Sequence, residues 1–390
     1  MSSESPAAGR IVSIDVLRGL VMVIMALDHV RDYWSLTGYD PLDLTQTSPQ
    51  LFFTRWITHF CAPVFVFVSG ASAWLYGRSK QVSTSELSRF LLTRGLWLVL
   101  IEITVVSLSW QFLYQIVILQ VIWAIGWSMI ALAALVWLPL PAIAGIGLVL
   151  IFGHNLLDGI PPERFGAFGW LWMIVHVQNF IPLTIGWPRG IAVAYPLVPW
   201  IGVMATGYAF GSLFALPPAR RDRLLVSIGV GATVAFVALR ALNVYGDSHP
   251  WSVQERGALY TLLSFINTTK YPPSLLYLLM TLGPAIALMP LLERWRGRVA
   301  QVFEIFGRVP FFYYVLHVPL IHACARVWYW LAFDAPTMTL FDKSTWPAAY
   351  HPNLLRAYAV WAILVIVLYW PCRWFMNVRR RRTDWWLSYL

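Results

Sequence analysis

Residues 14–34 read IDVLRGLVMVIMALDHVRDYW. Arg18 and His29 stand eleven positions apart, close to three turns of α-helix, so in a helix both side chains share one face about 16 Å apart along the axis. Everything between them, Gly19 to Leu27, is apolar. A guanidinium and an imidazole therefore ride on a helix of bilayer-crossing character, where ionisable groups are expensive and mark functional sites.

The surrounding chain has the same character. Of its 390 residues, 59% are hydrophobic and 12% charged, against roughly half and a quarter in a soluble domain. The expected fold class is all-α, a polytopic integral membrane bundle. Aromatics reach 16%, with 22 Trp, side chains that favour the membrane–water interface. The net charge is +10, but its basic residues sit in short clusters between apolar stretches. That pattern marks topology, not a nucleic-acid partner. Cys61, Cys324 and Cys372 lie singly in apolar segments, so neither a disulfide framework nor a metal site is expected, and they read as packing residues.

Apolar windows of bilayer length fall near 11–34, 56–77, 90–109, 114–137, 140–153, 191–215, 224–244, 272–292, 309–331 and 356–376. That is ten spans, or eleven if 165–187 forms a further helix. Basic clusters follow the even-numbered windows: Arg78 to Arg94, Arg220 to Arg223, Arg294 to Arg298 and Arg379 to Arg382. This predicts both termini in the cytoplasm, and an inner-membrane location. The connections 35–55, 154–190, 245–271 and 332–355 then face the other side. Residues 1–9 read as a disordered tail with no cleavable signal, 10–377 as one membrane domain, and 378–390 as a basic and aromatic tail.

Several constellations carry chemistry. Arg18, Met25, His29 and Asp32 share a helical face, with Asp28 beside His29. An imidazole oriented by a carboxylate is suited to general-base work; the plainer alternative is a snorkelling Arg18 and a polar cap at the helix end. Arg55 and His59, four apart, are expected on one face near His29, as substrate contacts or as interfacial anchors. Glu102, in the middle of the third window, needs a partner, with Arg18 or Arg94 as candidates. Lys270, Tyr271 and Ser274 precede a proline-initiated helix whose N–H groups suit an oxyanion. His317 and His322, five apart, diverge by about 140° and are not expected to share a metal, although His317 is a candidate for the cavity. His154, Asp158 and His176, in the 154–190 connection, are candidates for lining substrate, with solvated loop as their default reading.

The Arg18/His29 spacing matches the Arg-x10-His pattern of the membrane-bound acyltransferase superfamily that includes the acyltransferase-3 proteins. The longer stretches SIDVLRGLVMVIMALDHVRDYW (13–34), FFTRWITHFCAPVFVFVSGASAWL (52–75), YPLVPWIGVMATGYAFG (195–211), TKYPPSLLYLLMTLGP (269–284) and RRRTDWWLSYL (380–390) resemble the bacterial family with the heparan-α-glucosaminide N-acetyltransferase catalytic domain. The resemblance runs over 9–390. It implies a multi-helix enzyme passing an acetyl group from cytoplasmic acetyl-CoA to an acceptor, typically a sugar or glycan, on the other side. By the same resemblance His29 is the base and Arg18 holds the donor end. One departure stands: the human lysosomal enzyme has Asn where this chain has His29, and its catalytic His lies in the following loop, whose counterpart here, LTQTSPQLF (44–52), has none. The work therefore falls to His29 or His59.

The expected mechanism is direct transfer. His29, assisted by Asp28 or Asp32, deprotonates the acceptor, and Arg55 or backbone N–H groups meet the oxyanion; the alternative is an acetyl-histidine intermediate. The partners implied are acyl-CoA, the acceptor and membrane lipids, with no metal, and a homodimer is compatible with the sequence. A transporter or flippase using the same polar cavity is the competing function, opposed by the lack of visible inverted halves.

Overall fold

The computed structural model describes residues 11–183, 186–382 and 384–388. The expected tail at 1–9 lies outside the described residues, as do parts of the C-terminal tail. Helix α1 (Val12–Trp34) is followed by α2 (Pro49–Trp56), which runs through a 3-10 turn into α3 (Cys61–Lys80), and by α4 (Thr84–Ile101) and the short α5 (Ser107–Gln111). After them come α6 (Val121–Leu135), α7 (Leu140–Gly153), α8 (Gly169–Val175), α9 (Leu197–Gly211) and α10 (Pro218–Leu242). The last group is α11 (Ala258–Ile266), α12 (Leu275–Arg294), α13 (Arg298–Arg308), α14 (Pro310–Phe333) and α15 (Leu354–Arg381). The architecture is an all-α polytopic membrane bundle.

Each of the ten expected windows contains a helix. Among the described residues, seven helices are long and apolar enough to cross a membrane, or eight if α13 and α14, bent by 88° at their junction, form one span. Two windows fall short for identifiable reasons. Helix α1 carries Asp15, Arg18, Asp28, Arg31 and Asp32, and α6 has only 15 residues. Among its described residues the 165–187 stretch supplies the end of a 3-10 helix, the seven-residue α8 and one strand, too little for an eleventh span.

Three short strands interrupt the helices. β1 (Val117–Leu119) pairs in parallel with β3 (Gly190–Val193), Val117 opposite Ile191, and β3 pairs antiparallel with β2 (Asn179–Pro182), Asn179 opposite Val193. The fourth and sixth windows thus surrender their first residues to strands that meet each other. Short apolar runs such as VIL do not distinguish strand from helix by periodicity.

Helix α1 is the axis of the bundle. It packs against α3, α12, α13, α14 and α15, and 18 of its 23 residues are buried, which explains how a helix with five charges holds a central place: neighbouring helices, not lipid, surround it. Its tightest approach is to α13. A Cβ on Gly19 would stand 1.8 Å from the Phe303 carbonyl oxygen, and one on Gly307 would stand 1.7 Å from that of Asp15. Only hydrogen fits at either position. Gly19→Ala is therefore expected to force the helices apart at a cost of about 1–3 kcal/mol, read as a lower thermal midpoint of the purified protein in detergent. An unchanged midpoint would contradict the close packing of α1 on α13.

Candidate active site

Two cavities flank α1. The larger, about 380 Å³, is lined by four arginines, Arg18, Arg94, Arg308 and Arg379, and by apolar side chains including Met22, Phe65, Leu98, Val121, Ile122 and Ile125. Arg18 is held in place from two sides: Nη1 donates to the Gly307 carbonyl at 3.1 Å and Nη2 to Ser72 Oγ at 2.7 Å. The close packing of Gly19 and Gly307 brings that carbonyl within reach. Arg308 pairs with Glu304 on its own helix. Four guanidiniums in an otherwise largely apolar lining suit a ligand with an anionic head and an uncharged arm.

The smaller cavity, about 30 Å³, is lined by Met25, Asp28, His29, Thr58, Cys61, Gln120, Tyr195 and Lys270, and it shares Phe65 and Val121 with the larger one. The two spaces therefore abut at this pair of side chains. Arg18 serves one, and His29, three turns along the same helix, serves the other.

His29 is bonded to a histidine, not to an aspartate. Its Nδ1 lies 2.7 Å from Nε2 of His317 on α14, and the two rings stack with centroids 4.9 Å apart. The proton positions follow from the partners. His317 Nδ1 meets the Tyr314 carbonyl at 2.7 Å, and a carbonyl only accepts, so this nitrogen carries hydrogen. In the neutral ring Nε2 is then the acceptor, His29 Nδ1 donates to it, and the lone pair of His29 resides on Nε2. The expected carboxylate helpers are engaged elsewhere: Asp28 accepts from Arg55 and, at 2.9 Å, from Arg31, while Asp32 accepts from Arg31 at 2.7 Å. Two guanidiniums and two carboxylates neutralise one another, as buried charges must.

Lys270, 9% exposed, adds a further positive charge to the small cavity and lies 5.1 Å from the Tyr271 ring centroid. Burial opposes ionisation of the Tyr271 phenol, yet the nearby Lys270 and Arg55 outweigh it and hold the phenol below its ordinary value. Lys270 thus gives the small cavity a cationic wall, while Arg55, bound to Asp28, and Tyr271 stand behind that lining.

Pro63 has no N–H for the His59 carbonyl, the chain takes a 3-10 turn over Ile57–Phe60, and the carbonyl instead accepts from Tyr277 Oη at 2.7 Å. The His59 ring is fully buried edge-on to Tyr277 and does not line the small cavity. Ser274 also lies apart from that cavity. Its Oγ caps α12 by accepting the Tyr277 N–H at 3.0 Å and donates to Asp247 at 2.7 Å. The expected oxyanion site at this helix start is corrected accordingly: the N–H groups of Leu275 and Leu276 are taken by Asn155 Oδ1 and the Gly246 carbonyl, both at 2.9 Å.

Further corrections concern single residues. Glu102 finds no arginine; its carboxylate accepts from Trp123 N at 3.0 Å and Gln120 N at 3.4 Å, satisfying the open N–H groups where α6 begins. His322 leaves His317 and bonds the Ser109 carbonyl at 2.9 Å, as their angular separation predicts. His154 and His176 are buried, not solvated. Cys61 and Cys372 are buried and Cys324 is exposed.

Arg379 was legible only as topological charge, Arg94 as that and as a candidate partner of Glu102, and His317 only as a candidate for the cavity; Arg308 carried no signal of its own. Nothing in the linear sequence joins His317 to His29 across 288 positions.

The fold defines a polytopic helical membrane protein. The heparan-alpha-glucosaminide N-acetyltransferase catalytic family model matches residues 10–248, more than half of the chain, and the chain belongs to that family. No curated protein matches it. The matched segment holds Arg18, Asp28, His29, Arg55 and His59, whereas Lys270, Tyr271 and His317 lie beyond it.

Tyr277→Phe deprives the buried His59 carbonyl of its donor. Its expected cost is about 1–3 kcal/mol, measured as a lower midpoint of thermal or denaturant unfolding in detergent. Retention of full stability would show that this carbonyl has another partner.

Proposed function

We propose that the protein transfers an acetyl or other short acyl group from acyl-CoA, bound at the arginine-lined cavity, to an amine or hydroxyl that a sugar or glycan acceptor extends into the small His29 cavity. The observation that carries this reading is the abutment of the two spaces at Phe65 and Val121. A donor's phosphates and a reacting thioester need such separate surroundings, one cationic and one equipped with a base. Basic clusters face the cytoplasm as a rule, so the arginine-lined cavity opens to the cytoplasmic side of the inner membrane, with both termini there. The span from residue 10 to 377 acts as one catalytic unit.

His29 Nε2 takes the proton of the acceptor as its nitrogen or oxygen attacks the thioester carbon. Lys270 and Arg55 stabilise the oxyanion. The C–S bond then breaks, and the His29 imidazolium returns the proton to the departing thiolate. His317 holds the tautomer that makes Nε2 the base, the role given to an aspartate in the sequence reading. His59, outside both cavities, takes no part in this scheme.

Labelled acetyl-CoA supplied to one face of proteoliposomes, with a glucosamine acceptor on the other, tests the proposal. His29→Ala is expected to lower transfer by about 10²–10⁴-fold while the protein keeps its elution volume and thermal midpoint. Unchanged turnover in that variant would remove His29 from the mechanism. Arg94→Ala and Arg379→Ala should raise the KM for acetyl-CoA with a smaller change in kcat, since lost phosphate contacts weaken ground-state and transition-state binding alike. A pure kcat effect would assign those arginines to the chemical step instead. His317→Gln should lower kcat and leave the donor KM near its original value, the signature of a positioning residue.

A further inference from the structure

The connection that follows α7 folds back on itself and buries three metal-ligating side chains in one place. His154 stands at the end of α7, Asp158 four residues on, and His176 at the end of α8. One nitrogen or oxygen from each comes within 4.8 Å of the others. His154 is 2% exposed and His176 fully buried. Buried polar atoms are almost always hydrogen-bonded, yet Nδ1 of His176 has no partner and His154 has only the backbone of Pro273 near one of its ring nitrogens, at less than good hydrogen-bond geometry. Packing alone does not account for two buried imidazoles, each with an unanswered nitrogen, beside a carboxylate.

We propose that His154, Asp158 and His176 bind a divalent cation of the zinc class. Two imidazoles and one carboxylate favour zinc or a similar borderline ion over magnesium or calcium, which prefer oxygen. Asp158 Oδ1 and His176 Nε2 are 3.0 Å apart, close to the roughly 3.3 Å between neighbouring ligands on a tetrahedral ion with 2.0–2.1 Å bonds. A small turn of the His154 ring brings the third ligand in, and water completes the shell.

The surroundings are those of a built site. Asn155 Nδ2 holds the other oxygen of Asp158 at 2.7 Å, while Asn155 Oδ1 accepts the Leu275 N–H at 2.9 Å. Fixing a carboxylate from behind is how proteins orient metal ligands. The same asparagine ties the cluster to the first residue of α12, a few positions beyond Lys270 and Tyr271. An ion here joins the ends of α7 and α8 and, through Asn155, secures the start of α12.

The full-length protein in detergent, stripped with a chelator and reloaded, provides the test. With zinc alone we expect about one ion per chain after desalting, and with cobalt the visible absorption of a tetrahedral or five-coordinate site. His154→Ala and His176→Ala should each reduce retained zinc at least five-fold, and Asp158→Asn, which preserves the side chain's shape, should weaken binding at least ten-fold. His351→Ala, removing an exposed histidine elsewhere, should change nothing. Less than about 0.1 zinc per wild-type chain, octahedral cobalt spectra alone, or full retention in Asp158→Asn would each overturn the site. The cobalt spectrum of the wild-type chain decides the matter even if a histidine variant fails to fold.

Discussion

Burying a charged helix in the middle of a membrane bundle is the constraint from which the rest follows. Each ionisable group on α1 must find its complement on another helix or on its own next turn, because water is not at hand to solvate it. Arg18 reaches Gly307 and Ser72, Asp28 reaches Arg55, and His29 reaches His317. These bonds fix the registers of α13, α3, α2 and α14 against α1. Stability and chemistry thus use the same side chains, which is why the two cavities open along this helix and not at the periphery.

Irregular backbone places the remaining groups. Pro63 withholds one N–H, and the His59 carbonyl in the 3-10 turn is answered by Tyr277 instead. Near Glu102 the backbone widens into a π-turn, and the carboxylate meets the first turn of the short helix α6. The start of that helix, at Gln120 and Val121, forms part of the small cavity's wall. A carboxylate whose place in a hydropathy profile suggests an arginine partner is therefore a helix cap that holds the wall in position.

Much of this was legible in advance, and the limits have physical causes. Hydropathy windows located a helix in each expected place, because burial of a bilayer-length apolar run is a local property of the chain. The Arg18/His29 spacing pointed to the functional helix for the same reason: helical period converts sequence distance into geometry. Sequence was less informative at the helix starts, where Val117–Leu119 and Gly190–Val193 became strands only by finding each other. It erred on which groups answer charge. Asp28 and Asp32 lie beside His29 in sequence and yet serve arginines, and Ser274 caps a helix instead of facing a substrate.

The sequence by itself determined that this is a polytopic helical membrane protein with an arginine and a histidine displayed along one helix, and its stretches resembled the family to which it belongs. Composition and periodicity suffice for that, since they depend on neighbours within a few turns. Only the tertiary structure decided that His29 leans on His317, that Lys270 joins it, that four arginines line one cavity, and that His154, Asp158 and His176 converge. Those groupings depend on how α1 satisfies its buried charges across positions as distant as 288 residues, and no local pattern encodes which helix will answer.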